Sequence, residues 1–388
     1  MAGFWYCLVP LLFMARPSLG QIAPPFIVFG DSTIDTGNNN YINTTLEFSA
    51  NFPPHGQQFF GHPNGRFCNG RVFVDFICEF LGIPYLAPYL RPDADHSKGV
   101  NFGSGGAGVL PETNAGLVIP LGRQLKYFSE FQEAIIEEWG SVQANKYISD
   151  AIYLVSISNN DYMSGYFSVA ELREKYTPQD FIALIVGEIV RACEFLHAKG
   201  ARKFVVVEAG PLGCVPALRQ FDPDQGCFQP AGDLGVAHNG ALRMAMKGWQ
   251  ATHADVALSV AGLHQFMMER ITSPEEFGFK EGVSACCGTG PLRGLGPCGR
   301  PHPVTGEDYE VCDNPEDHVF WDFYHGTEKM HEMFAKDIWN GNGDVISPLS
   351  VREMVELSSS ADCNDEQLAG YSSGPANLLD ARIEHSSF

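Results

Sequence analysis

Short apolar runs alternate with longer amphipathic segments along most of this chain, and this alternation limits its possible folds most strongly. The runs predict strands, and the segments between them have the apolar spacing of helices. Strands that alternate with helices form parallel βαβ units, with helices on both faces of one sheet. We therefore expect a single α/β domain. The predicted strands are residues 26–29, 100–102, 151–157, 203–208 and 255–260, and the predicted helices are residues 71–81, 121–139, 178–197 and 235–250.

The charge of the chain argues against two classes of partner. Its 388 residues include 25 Lys and Arg against 46 Asp and Glu, which gives a formal net charge of -21. Such a chain is repelled by phosphate backbones, and no basic stripe reverses the effect. Nucleic acid and anionic membrane surfaces are therefore poor partners. Hydrophobic residues make up 45% of the chain, enough for a substantial core.

The first twenty residues have the features of a signal peptide. Residues 4–15 are apolar but too short to cross a bilayer comfortably. Ser18 and Gly20 supply the small side chains of a cleavage site, so we predict cleavage after Gly20. The prediction is a secreted, extracellular protein without a stable membrane anchor, with a folded domain over residues 21–357. The Ser-, Asp- and Gly-rich residues 358–388 are expected to be disordered, and the sequon at Asn43 is a predicted glycosylation site.

Cysteine usage agrees with secretion. In a secreted protein, cysteines crowded into Gly/Pro-rich loops predict disulfides, although the sequence leaves their pairing open. A zinc site is the alternative, but Cys286 and Cys287 are adjacent and no CxxC pair occurs, so we expect no metal. Cys78 and Cys193 lie in helical patterns and are expected to be buried free thiols. The crowded cysteines are Cys214, Cys227, Cys286, Cys287, Cys298 and Cys312.

Two polar segments directly follow predicted strands. In FGDSTIDTGNNN, residues 29–40, Ser32 is either a capping residue at a turn or a nucleophile at the sheet edge. In NFGSGGAG, residues 101–108, the glycines let backbone N–H groups approach a ligand. A flexible loop explains the glycines equally well, and no nucleotide-binding spacing is present. These segments alone leave both alternatives open.

Two further segments carry groups suited to acyl transfer. Asn160 follows the strand of YLVSISNNDYM, where its amide can point at a developing oxyanion, although turns rich in Asn and Asp are often structural. Asp322 and His325 are three residues apart in HVFWDFYHGTEKMHEMF. This spacing can place the carboxylate on Nδ1 of the imidazole and leave Nε2 to accept a serine proton. A metal role for this pair, with His331 nearby, is the alternative.

Together and in this order, FGDSTIDTGNNN, NFGSGGAG, SNND and VFWDFYHGTE resemble the sequence blocks of plant-type GDSL esterase/lipases of the SGNH hydrolase superfamily. The resemblance covers roughly residues 24–357. It implies a flavodoxin-like three-layer α/β/α sandwich with a mainly parallel sheet, and ester hydrolysis without metal or cofactor. If the protein comes from a plant, the resemblance also implies a location in the cell wall or apoplast. The implied roles are nucleophile for Ser32, acid and base for Asp322 and His325, and oxyanion hole for Ser32, Gly105 and Asn160.

The expected activity is therefore that of a secreted carboxylic ester hydrolase acting on small-molecule, lipid or acylated-carbohydrate esters. An acyltransferase that passes the acyl group to an alcohol or sugar is the first alternative, and a non-catalytic binding protein is the second. The chain departs from the family pattern at Ser158, where glycine is usual, at Gly326, where proline is usual, and at the charged Glu208. Acyl and alcohol specificity and oligomeric state stay open.

Overall fold

The fold is built on a six-stranded sheet whose spatial order is β10-β5-β4-β3-β1-β2. Five strands are parallel, and only β10 runs antiparallel, beside β5. The parallel order 2-1-3-4-5 is that of a flavodoxin-like sheet, so the predicted fold class is confirmed. The strands of the sheet are β1 Phe26–Gly30, β2 Gly99–Asn101, β3 Ile152–Ser156, β4 Lys203–Val207, β5 Ala257–Ala261 and β10 Ile346–Ser347.

The computed structural model describes residues 23–357. The predicted signal peptide, residues 1–20, and the predicted disordered tail, residues 358–388, lie outside the described residues, as do Cys7 and Cys363. Within residues 23–357, no helix combines the length and the apolar character that crossing a membrane requires.

Helices form two groups, one on each face of the sheet. In the first group α3 contacts both α4 and α6, and α6 contacts α8. In the second group α2 packs on α10, and α9 reaches α10 through Phe266 and Phe334. The four helices predicted from periodicity are present. α8 begins at Gln229, six residues earlier than expected, and Pro230 lies in its first turn. The helices are α1 Gln57–Phe60, α2 Phe73–Leu81, α3 Leu121–Trp139, α4 Ser141–Asp150, α5 Ala170–Lys175, α6 Pro178–Ala198, α7 Pro216–Arg219, α8 Gln229–Ala251, α9 Leu263–Thr272 and α10 Glu328–Asn340.

The register of the parallel strands brings several loops to one edge. Gly30 pairs with Ser156, Ser156 with Val207, and Val207 with Ala261, so β1, β3, β4 and β5 end side by side. Gly30 allows the closest of these contacts, because a Cβ there would lie 2.1 Å from the Ser156 carbonyl oxygen. The segments after these strands therefore face a common space at the carboxyl edge, where α/β proteins bind ligands.

Disulfides fasten the long connections near this edge, as predicted. The pairs are Cys214–Cys227, Cys286–Cys312 and Cys287–Cys298. Cys78 and Cys193 are buried free thiols, and Cys68 is a third. The connection after α9 also carries four short strands in two small sheets: β6 Glu281–Ala285, β7 Cys287–Gly288, β8 Glu310–Val311 and β9 His318–Phe320.

Candidate active site

Ser32 lies in the turn that directly follows β1. The Asp31 carbonyl accepts the N–H groups of Ile34 and Asp35, and the Asp31 carboxylate accepts the N–H of Thr33 at 3.0 Å. Asp31 is therefore the residue that accepts the N–H groups of this turn. Ser32 is left to line the cavity at the sheet edge. Within residues 23–357, the Ser32 N–H donates to no protein acceptor.

His325 contacts both Asp322, three residues before it, and Ser32, 293 residues before it. Its Nε2 lies 2.7 Å from Ser32 Oγ, and its Nδ1 lies 2.8 Å and 2.9 Å from the two Asp322 carboxylate oxygens. The Phe67 ring packs against the imidazole, with centroids 5.1 Å apart. Because Nδ1–H donates to Asp322, Nε2 is the nitrogen that accepts from the serine hydroxyl.

The carboxylate of Asp322 is held ionised despite its burial. Burial by itself raises the pKa of Asp322. The charges of His325 and His55 and the hydrogen bonds from His325 and Tyr324 outweigh that effect and hold the pKa below its ordinary value. A buried carboxylate fixed in this way orients the imidazole and stabilises its protonated form.

The structure brings Asn160 into the same cavity but keeps Gly105 out of it. One Asn160 amide N–H donates to the Ala107 carbonyl at 3.0 Å, and the second has no acceptor within residues 23–357. The Gly105 N–H instead donates to Asp35 Oδ2 at 2.9 Å. The expectation that Gly105 supplies an oxyanion donor is therefore corrected, because its only N–H is already bonded to a buried carboxylate.

The neighbouring glycine, Gly106, is placed differently. It lines the cavity with φ +80°, and within the described part of the chain its N–H has no acceptor. A Cβ at Gly106 would lie 2.3 Å from the Phe48 ring, so both the backbone conformation and the space require glycine. The sequence GSGGAG has two adjacent glycines, and only the loop conformation distinguishes them.

Residues of the motif after Ser32 hold this glycine loop in place through hydrogen bonds. Asp35 accepts N–H groups from Gly37 and Asn38 as well as from Gly105. The Asn39 amide donates to the Gly105 carbonyl at 2.8 Å, and the Asn38 amide donates to the Gly103 carbonyl at 2.7 Å. The asparagine run thus has a structural reason. Asp35 has no signal of its own in the sequence, because its partner Gly105 lies 70 residues away.

The three departures from the family pattern have different structural consequences. Ser158 has φ 145°, a conformation that favours glycine, so its backbone is strained. Gly326 pairs with Phe320 in an isolated bridge, which anchors the turn after His325. Buried Glu208 forms an ion pair with Arg243, while burial raises its pKa.

Neither the glycosylation sequon at Asn43 nor the cluster of Cys286, Cys312 and His318 lines this cavity. Asn43 is exposed, as glycosylation requires, and lies three residues before Leu46 at the cavity wall. Cys286, Cys312 and His318 are close enough to share a metal ion, but the two sulfurs form a disulfide and so are not thiolate ligands. The cavity itself has a volume of about 130 Å³.

Comparisons with known proteins agree with this geometry. The sequence profile of the family described as GDSL-like Lipase/Acylhydrolase matches residues 26–338. The chain is 37% identical over 362 residues to GDSL esterase/lipase 5 of Arabidopsis thaliana, covering 89% of this chain and 93% of that protein. It is 35% identical over 352 residues to a GDSL lipase of Tanacetum cinerariifolium, with 90% and 93% covered. GDSL esterase/lipase 1 of Arabidopsis thaliana is 36% identical over 335 residues, with 85% and 89% covered.

Proposed function

The chain belongs to the GDSL-like lipase/acylhydrolase family, and from this premise we propose that it is a secreted serine esterase acting through an acyl-enzyme on Ser32. Its substrates are carboxylic esters of small molecules, lipids or carbohydrates, and its catalytic domain is residues 21–357. One observation carries the proposal: Ser32 Oγ lies 2.7 Å from His325 Nε2, while Asp322 holds Nδ1 of the same ring. This is the arrangement that activates a serine hydroxyl.

The first half of the reaction forms the acyl-enzyme. Ser32 Oγ attacks the ester carbonyl carbon as its proton passes to His325 Nε2, and Asp322 stabilises the imidazolium. The tetrahedral intermediate then collapses, the bond to the alcohol oxygen breaks, and the leaving alcohol takes the proton from Nε2. The acyl group remains bonded to Ser32 Oγ.

Three donors surround the place where the carbonyl oxygen becomes negative. They are the N–H groups of Ser32 and Gly106 and the second amide N–H of Asn160. All three residues line the cavity, and none of these N–H groups has a protein acceptor within residues 23–357. Fixed donors stabilise a developing oxyanion because they need no reorganisation during the reaction. Losing one such donor raises the barrier by about 3 kcal/mol.

The second half of the reaction releases the acid. Water gives a proton to His325 Nε2 and attacks the acyl carbonyl, and Ser32 Oγ leaves with that proton. An alcohol in place of this water turns the same enzyme into an acyltransferase. Product analysis with and without added alcohol distinguishes these outcomes.

The experiment that tests the proposal compares hydrolysis of a short and a long p-nitrophenyl ester by the protein and by Ser32→Ala. We expect hydrolysis by the protein and loss of turnover in Ser32→Ala, with an unchanged melting temperature. Thr33→Ala is the matched control, because Thr33 is next to Ser32 and lines the cavity, while its hydroxyl bonds Asp31 and Ser156 rather than His325. Equal hydrolysis by Ser32→Ala and by the unmodified protein would contradict the proposal.

A further inference from the structure

One wall of the cavity carries a cation. Arg300 lines the cavity, and it is the only Lys or Arg among the described residues that line it. It follows Cys298, whose disulfide with Cys287 holds this segment of the chain. The guanidinium carbon lies 4.2 Å from the centroid of the Phe52 ring, and Nη2 donates to the Leu46 carbonyl. These contacts fix the position of the side chain in the cavity wall.

The guanidinium of Arg300 has one nitrogen left to bind a ligand. Its Nε is enclosed and has no partner within residues 23–357, so it cannot meet a molecule in the cavity. Its Nη2 is bonded to Leu46. Nη1 has no hydrogen-bond partner in the described part of the chain either, but it is not enclosed and keeps accessible surface. Nη1 therefore offers N–H donors to an oxygen atom that enters the cavity.

The described part of the chain supplies no carboxylate to pair with this cation. Within residues 23–357, Arg300 forms no ion pair, although exposed Glu47 also lines the cavity and its charge acts on the guanidinium. Burial lowers the pKa of Arg300, and the charge of Glu47 only partly offsets this effect. The guanidinium stays protonated near pH 7, because its ordinary pKa is far higher. A partly buried cation without a counter-ion is unfavourable, and an anion bound beside it reduces that cost.

The cation lies near the catalytic histidine. The Phe52 ring under Arg300 contacts His55, with centroids 5.3 Å apart, and His55 and His325 both contact the Phe67 ring. Burial lowers the pKa of His55 to about 4, and the charges of His325 and Arg300 act in the same direction. Because both charges reach the same imidazole, an ester bound at the catalytic serine can place a second group beside Arg300.

Building on the proposed esterase function, we propose that Arg300 binds a carboxylate carried by the substrate, so that the preferred esters have an anionic group in addition to the ester group. A guanidinium suits this ligand because it combines a positive charge with N–H donors. The remainder of the chain, with its net charge of -21, gives an anion no comparable attraction. The carboxylate is on either the acyl or the alcohol half of the ester, and the two arms of the test distinguish these cases.

The test measures kcat/KM for matched pairs of charged and neutral esters. In the first arm the charge is on the alcohol half, and 4-carboxyphenyl butyrate is compared with 4-carbamoylphenyl butyrate. In the second arm it is on the acyl half, and the p-nitrophenyl monoester of adipic acid is compared with its methyl ester. We expect the charged-to-neutral ratio of at least one arm to be about tenfold higher in the unmodified protein than in Arg300→Met, the effect of one hydrogen bond between charged groups. Comparing ratios between proteins cancels the intrinsic reactivity of the esters.

Three further variants make the result specific to this cation. Arg300→Lys keeps the charge without the planar group and should give an intermediate ratio. Glu47→Gln removes the carboxylate that acts on Arg300 and should raise the ratio. Arg123→Met is the matched control, because it also removes a guanidinium beside an aromatic ring, 5.2 Å from the centroid of Tyr127, but does not line the cavity. It should leave the ratio unchanged.

The inference is wrong if Arg300→Met leaves both ratios as they are in the unmodified protein, if Arg123→Met lowers them equally, or if Glu47→Gln lowers them. Salt provides an independent readout. The preference of the unmodified protein for the charged ester should weaken as the ionic strength rises, because salt screens the attraction between the two charges. A preference that salt does not change would contradict an electrostatic origin.

Binding separates this inference from the proposed function. Calorimetry with Ser32→Ala measures the affinity for both esters of each pair, where no turnover is needed. Tighter binding of a charged ester, lost when Arg300→Met is added, supports the inference even if the unmodified protein hydrolyses none of the esters, in which case the proposed function alone fails. Equal affinity for the two esters in both pairs overturns the inference whatever the hydrolysis result.

Discussion

Asp35 connects the motif after Ser32 to the loop that carries Gly106, and replacing it tests whether this connection positions the oxyanion hole. One Asp35 oxygen accepts the N–H groups of Gly37 and Asn38 at 2.7 Å and 2.8 Å, and the other accepts the Gly105 N–H at 2.9 Å. The side chain is fully buried. In Asp35→Asn, the amide oxygen can keep the first two bonds, but its NH₂ group then faces the Gly105 N–H.

The size of the effect follows from that single lost bond. A hydrogen bond to a charged group contributes about 1.5–3 kcal/mol, and two donors that face each other repel, so the loop segment at Gly105 should shift. The shift displaces the adjacent Gly106 N–H. Complete loss of one oxyanion donor costs about 3 kcal/mol, so we expect a reduction of kcat of about 10- to 100-fold. KM should change little, because the donor acts in the transition state.

The assay measures kcat and KM for p-nitrophenyl butyrate and the free energy of unfolding in urea for each variant. Asp75→Asn is the control, since Asp75 is equally buried and pairs with Arg66 at 2.7 Å without touching the glycine loop. It should lower stability and leave kcat of the folded protein nearly unchanged. A folded Asp35→Asn protein with normal kcat would show that Asp35 does not position the glycine loop for catalysis, and so would an equal loss of kcat in Asp75→Asn.

Three further changes have expected outcomes. Asn160→Ala should lower kcat about 10²- to 10³-fold with little change in KM, and a loss below tenfold would contradict its oxyanion role. Ser158→Gly should raise the free energy of unfolding by about 1 kcal/mol, because relief of its φ of 145° exceeds the entropy cost of glycine; an unchanged or lower melting temperature would contradict this. Burial raises the pKa of Asp161 from 3.8 to about 6, so the folded state binds this proton more tightly and the group's contribution to stability is lost as pH rises from 4 to 6. The free energy of unfolding of Asp161→Asn minus that of the unmodified protein should therefore increase by about 2 kcal/mol from pH 4 to pH 7 in urea titrations, and a constant difference would contradict the assignment.

The central sheet could be predicted from sequence because its parallel strands are buried on both faces and form continuous apolar runs. The two-residue strand β10, Ile346–Ser347, gives no such signal, because its pairing with β5 is set by the tertiary fold. The disulfide pairs were also beyond prediction, since spacing alone does not define which loops meet.

Most residues of the candidate site could be predicted from the sequence, but the choice between two adjacent glycines could not. Ser32 and Asn160 each come just after a strand, and parallel strands bring the loops at their carboxyl ends to one edge of the sheet. Asp322 and His325 are close in sequence, so their contact is local. The choice between Gly105 and Gly106 depends on the φ angles within a loop, which the repeated glycines leave undetermined.

The central claim is that His325 activates Ser32 as a nucleophile, and covalent labelling tests it most directly. The protein is incubated with a p-nitrophenyl alkylphosphonate, digested, and examined by peptide mass spectrometry. We expect one phosphonate on Ser32, no adduct in Ser32→Ala, and labelling at least about 100-fold slower in His325→Ala. Labelling of the unmodified protein at another residue, or at an equal rate in His325→Ala, would contradict it.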